Sequence, residues 1–278
     1  MIIDGHSHMI TENIFKDMNV NQRIVGLLKD DWTKHSVKEH VNKWLDAMDR
    51  NEIEKTIFMA TASLSKDFIE FINSNKRFVG FAKINPSFPN AVETLKKEIR
   101  NGMKGIKFYA TNDGFNVSCA DCYPIYEYAT KNKLPIVIHF GVTIGGRSDL
   151  VHGNPVLLSR VLREFPDVNF IIAHFGAGYF RELLMLKYKQ DNLFVDTSGT
   201  NNWIDFQDNP FSLKDVFQKT IKVFGSENII FGSDTRIFPN GYRENILKEH
   251  LGILNELKLS KKDKENIMYN NAKRIFNI

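Results

Sequence analysis

The chain opens "MIIDGHSHMI" (residues 1–10), and the polar residues after its apolar start decide the fold. The β-branched start reads as a buried strand. An open doubly wound α/β sheet usually carries a glycine-rich phosphate loop directly after its first strand, and "DGHSHMITEN" has none. Working outward, the same kind of short apolar segment returns as "KTIFMAT", "RFVGFAKIN", "GIKFYA", "PIVIHFG", "NFIIAHFG", "LFVDTSG" and "NIIFGSD". Stretches with helical periodicity separate them, among them "VKEHVNKWLDAMDRNE", "NAVETLKKEIRNG" and "SLKDVFQKTIKVFG", with a last one from about Tyr242 onward. Continuous apolar strands alternating with helices indicate a parallel sheet covered on both faces. Eight such units predict an α/β fold of the closed (β/α)8 TIM barrel type, one domain over residues 1–278.

Composition excludes several function classes. Apolar content of 42% and charged content of 25% are globular, and no low-complexity tract divides the chain. The net charge of +4 is small, and the densest basic run, Lys258–Arg274, is interleaved with acids and amides. It reads as a solvated helix face, so no nucleic-acid partner is expected. No apolar run approaches the roughly 20 residues that span a bilayer, nor is there a leader-like segment, so a soluble cytoplasmic protein is expected. Cys119 and Cys122 form a lone "CADC", read as two reduced surface thiols.

In a barrel, side chains at the C-terminal ends of the strands converge on one mouth. His6 and His8 close the first strand, and with Asp4 they are expected to point the same way by strand alternation. His139 ends the fifth strand, His174 the sixth and Asp234 the eighth. Imidazoles and a carboxylate without thiolate suit Zn²⁺ or another divalent metal. Asp234 is the expected proton shuttle for a metal-activated water. His35, His40 and His250 are expected at the surface, and His152 in a substrate loop.

These residues resemble the amidohydrolase superfamily, in its family 2 branch related to aminocarboxymuconate-semialdehyde decarboxylase. The resemblance spans essentially the whole chain through "DGHSH", "IHFG", "AHFGAG", "FGSD" and the closing "NNAKRIF". It implies that His6, His8, His139 and Asp234 hold one divalent metal and that His174 is an unligated acid/base. In binuclear relatives the positions of His174 and Lys107 join the ligand set, the lysine as a carbamate; in mononuclear ones such a lysine is a substrate-facing or structural cation. A homodimer is the assembly common among relatives. Arg236, Arg147 and Arg181 are candidate readers of an anionic small-molecule substrate, since a guanidinium matches a carboxylate in a bidentate fork. Tyr109 and Trp203 are candidate pocket walls. The longest candidate substrate loops are 11–36, which contains Asp30, Asp31 and Trp32, and 142–153.

The expected activity is hydrolysis of an ester, lactone or amide carbonyl. Non-oxidative decarboxylation on the same ligands is the alternative. A barrel that binds metal without turnover is disfavoured, because all five strand-end residues are present.

Overall fold

The computed structural model describes residues 1–18, 34–143, 148–188, 190–208 and 211–278. Asp30, Asp31, Trp32 and Arg147 lie outside the described residues.

All eight expected strands form: β1 (Ile2–His8), β2 (Ile53–Met59), β3 (Phe78–Lys83), β4 (Gly105–Phe108), β5 (Ile136–Ile138), β6 (Phe170–Ile172), β7 (Leu193–Asp196) and β8 (Ile229–Ile230). A short β9 (Thr235–Arg236) completes the eighth strand after a break. Pairing is parallel throughout and sequential from β1 to β8, and β9 pairs with β1. Across the break, the amide of Gly5 donates to Phe231 O at 2.8 Å and that of Asp234 to His6 O at 2.8 Å. These bonds close the sheet into a (β/α)8 barrel.

Alternation along the strands creates two apolar layers. Ile57, Met59, Val79, Phe81, Val137, Ile171 and Phe194 point into the barrel, where Ala272, Ile275 and Phe276 of the C-terminal helical segment join them. Their neighbours Phe58, Phe78, Ile106, Ile136 and Phe170 face the surrounding helices. Helices are set by their caps as well as their apolar faces: Ser36 with Glu39 and Ser212 with Asp215 form capping boxes that satisfy amides at the starts of Val37–Arg50 and Leu213–Phe224.

The alternation expected for β1 does not hold. Its register with β2 shifts between Asp4 and Ser7, and Asp4 bonds Ser7 Oγ at 3.1 Å. A bulge therefore changes which face the strand presents, turning Asp4 away from His6 and His8. The bulge needs glycine: a Cβ on Gly5 would stand 2.5 Å from the Ile230 side chain and 2.8 Å from Phe231 O.

Four surface expectations are corrected. His40 and His250 are buried, 2% and 1% exposed, because each sits on the apolar face of its helix, His40 with Trp44 and Ala47, His250 with Ile246 and Leu254. Cys122 is buried and Cys119 half-buried, their sulfurs 3.6 Å apart as free thiols. His35 is partly covered, its ring stacked on Phe238 at 3.6 Å. Among the described residues no helix is long and apolar enough to cross a membrane.

Candidate active site

The strand ends bring His6, His8, His139, His174, Lys107 and Asp234 to one mouth, with one carboxylate that sequence reasoning missed, Asp196 at the end of β7. Asp196 Oδ2 lies 2.7 Å from His6 Nδ1. Its Oδ1 accepts from the His174 amide at 2.9 Å, the Ser198 amide at 3.1 Å and the Ser198 hydroxyl. Burial would raise this carboxyl, but His6, His174 and Ser198 outweigh that and hold it well below the usual range. Its strand-end position could have revealed it, since "LFVDTSG" ends a strand just as "FGSD" does.

Each imidazole has one nitrogen committed to a fixed acceptor. His6 Nδ1 donates to Asp196, His8 Nδ1 to Met59 O at 3.0 Å, His139 Nε2 to Val142 O at 3.3 Å and His174 Nδ1 to Ser198 O at 3.1 Å. In the neutral rings the other nitrogen of each carries a lone pair. Burial lowers the pKa of His6 to about 3, helped by the charge of Lys107, with Asp196 opposing. Burial, and then neighbouring imidazole and Lys107, lowers His139 well below its ordinary value; burial likewise lowers His174. Neutral imidazole is the form that binds a metal.

His6, His8 and Asp234 present ligand atoms all within 4.8 Å of one another, as do His6, His174 and Asp196. The second trio is held together by its own hydrogen bonds. The first is different: His8 Nε2 and Asp234 Oδ1 stand 3.2 Å apart, two acceptors facing each other once the His8 proton is given to Met59. A proton or a metal cation between them resolves that conflict, so the donor set fits a divalent cation. His139 joins neither trio; its ring centroid is 4.9 Å from that of His174, which is 4.8 Å from that of His6. Asp234 and His174 both sit at left-handed φ, 55° and 58°, conformations that non-glycine residues hold at a cost of order 1–3 kcal/mol and that cluster at functional sites.

Lys107 is fully buried and points into the barrel, its Nζ 3.5 Å from His6 Nε2. Burial lowers its pKa to about 8 despite Asp196 and Asp234. Tyr109 stacks toward His139, with 6.3 Å between centroids, and its hydroxyl donates to Ala60 O at 3.2 Å. Arg236 lies half-buried on β9 near Asp234 and Arg243. Arg243, a second residue that sequence reasoning missed, reaches Asp234 Oδ2 at 3.4 Å. The remaining candidates have other partners. Trp203 is buried against Phe180, its indole N–H on Asn201 Oδ1 at 3.0 Å. Arg181 is solvent-exposed and pairs with Glu182, and His152 lies 3.8 Å from Asp149 in the loop after β5.

The amidohydrolase family model matches residues 3–278. No curated protein matches the sequence. Among solved structures, the chain is similar to an amidohydrolase from Burkholderia multivorans with bound zinc, at 13% identity and TM-score 0.72, covering 100% of this chain and 99% of that one. It is similar to a probable 2-pyrone-4,6-dicarboxylic acid hydrolase from Acinetobacter baumannii with citric acid bound (14% identity, TM-score 0.68, 100% and 99% covered). It is also similar to 5-carboxyvanillate decarboxylase from Sphingomonas paucimobilis (15% identity, TM-score 0.69, 100% and 99% covered). With its barrel, its strand-end imidazoles and a family match over nearly its whole length, the chain belongs to the amidohydrolase family.

Proposed function

We propose that this chain is a metal-dependent hydrolase of an ester, lactone or amide bond in a small anionic substrate, with His6, His8, His139 and Asp234 holding one divalent cation, zinc by default. The observation that carries this reading is the approach of His8 Nε2 to within 3.2 Å of Asp234 Oδ1 with His8 Nδ1 committed to Met59 O, an arrangement that calls for a cation between them, a proton or a metal. A divalent cation bound by such donors supplies Lewis acidity, lowering the pKa of water from 15.7 to about 7 and polarising a carbonyl oxygen.

The chain's own groups supply the rest. Asp234 is held well below the usual carboxylate range: burial would raise it, but the hydrogen bond and charge that a proton on His8 Nε2 supplies outweigh burial, a metal cation in that place would act in the same sense, and Arg243 engages its second oxygen. An ionised carboxylate at this point takes a proton from water and hands it to the leaving group. His174 is oriented by Ser198 and Asp196 so that Nε2 faces the mouth as a hydrogen-bonding and proton-carrying group. Arg236 and Arg147 are assigned to the substrate carboxylate, Lys107 and Tyr109 to the inner pocket wall, and Trp203 to support of the loop after β7.

Decarboxylation is the second reading, since the likeness to a decarboxylase is as close as that to a hydrolase. It needs an acid that delivers a proton to carbon, and the ionised Asp234 suits a base better. The test is to incubate zinc-loaded protein with small lactones and with hydroxybenzoic acids. Metal-dependent ring opening supports hydrolysis, and carbon dioxide release without hydrolysis product replaces it with the second reading.

A further inference from the structure

Cys119 and Cys122 take no part in the mouth described above. They are the chain's only cysteines, and their sulfurs stand 3.6 Å apart. Cys119 precedes and Cys122 ends a tight helical turn, Ala120–Cys122, that runs directly into the helix Tyr123–Asn132. The amide of Cys122 donates to Cys119 O at 3.1 Å, so the two residues are the first and last of one closed turn. Such a turn holds its end Cα atoms within about 7 Å, and a disulfide spans about 4.4–6.8 Å between Cα atoms. Bond formation at about 2.05 Å requires the sulfurs to close by roughly 1.5 Å, which is within the reach of side-chain rotation. Both residues have ordinary backbone, with φ of −73° at Cys119 and −76° at Cys122.

The surroundings accept the bonded form. Cys122 is buried, and its thiol donates to Asn116 O, 3.6 Å away. Losing that hydrogen orphans nothing, because Asn116 O also accepts the Cys119 amide at 3.0 Å. Access is one-sided: Cys119 is half-buried, and Ala120 and Asp121 between the cysteines are exposed. Burial also pushes the Cys122 thiol up. Since the thiolate is the nucleophile, Cys119 is the sulfur that meets an external reagent and Cys122 the one that completes the reaction.

We propose that Cys119 and Cys122 are a redox-active pair that forms a reversible disulfide by exchange with small dialkyl disulfides. The Cys119 thiolate attacks one sulfur of the reagent, breaking its S–S bond and releasing one thiolate. Cys122 then gives up its proton and attacks Cys119 Sγ, which forms the internal bond and releases the second thiol. Two protein thiols are oxidised, one reagent disulfide is reduced, and both protons leave on the released thiols. The proposal is independent of the hydrolase reading and of any metal.

The test exposes the folded full chain to excess 2-hydroxyethyl disulfide, quenches with acid, alkylates in denaturant with N-ethylmaleimide and determines the intact mass. The expected product is a single chain lighter by two hydrogens that takes up no maleimide, and takes up two after dithiothreitol. Cys122→Ser, which keeps a donor toward Asn116 O, is expected to stop at the mixed disulfide on Cys119. The buried thiol left in Cys119→Ser is expected to react at least about tenfold more slowly than the one left in Cys122→Ser. Two alkylated thiols in the unaltered chain, an accumulated mixed disulfide or a bond between two chains overturns the proposal. Equal rates in the two variants overturn the assigned order of attack.

Discussion

Asp196 Oδ2 lies 2.7 Å from Nδ1 of His6, while its other oxygen takes the backbone N–H of His174 at 2.9 Å. One carboxylate therefore fixes the tautomer of one imidazole and the backbone position of a second, both at the mouth. Such outer partners of metal-binding histidines typically contribute 10–100-fold to affinity. Asp196→Asn is expected to weaken zinc binding by about that factor, read by competition with a chromophoric chelator. Unchanged affinity would separate Asp196 from the metal centre.

His174 is assigned a proton and hydrogen-bonding role rather than a ligand position. His174→Ala is expected to keep most of the bound metal and to lose roughly 10²–10⁴-fold in turnover, the range for a positioned general acid or base. Loss of metal in step with activity would move His174 into the ligand set and favour a binuclear site with Lys107.

Gly141, two residues after His139, holds φ of 76°, and a Cβ there would lie 2.1 Å from Ala177 O. The contact is with backbone, so no side-chain movement relieves it. Gly141→Ala is expected to lower stability by about 2 kcal/mol or more, measured as a fall in Tm with reduced zinc content.

His40 and His250 are neutral in the fold because burial lowers their pKa values to about 4 and about 3. An unfolded imidazole titrates near 6.5. As pH falls below that value the unfolded chain binds protons that the native chain does not, so stability present at neutral pH is lost progressively down to about pH 4 for His40 and about pH 3 for His250. For His40 this amounts to something on the order of 3 kcal/mol. The fall in Tm of the metal-free protein between pH 7 and pH 4.5 is expected to be smaller in His40→Leu than in the unaltered chain. An equal fall would place the acid sensitivity elsewhere.

Most of the barrel was legible because a strand buried on both faces announces itself as an unbroken apolar run. The strand-end position of His6, His8, His139, His174 and Asp234 came from the same segments. The bulge at Gly5 was not legible, since period-2 alternation is a statement about regular pairing and one extra residue inverts it. Nor was the break between β8 and β9, which depends on the left-handed backbone at Asp234. The burial of His40 and His250 was legible in principle, because each lies at helical spacing from apolar residues; treating histidine as polar hid it. Arg243 owes its place to packing between separate elements, for which local periodicity carries no signal.

The proposed metal centre consists of one divalent ion held by His6, His8, His139 and Asp234. Elemental analysis of the purified chain without added metal, alongside His6→Ala and His139→Ala, tests it most directly. About one equivalent of zinc or a similar divalent ion per chain, falling toward zero in both variants, is the predicted result. Metal retained in full by both variants would contradict it.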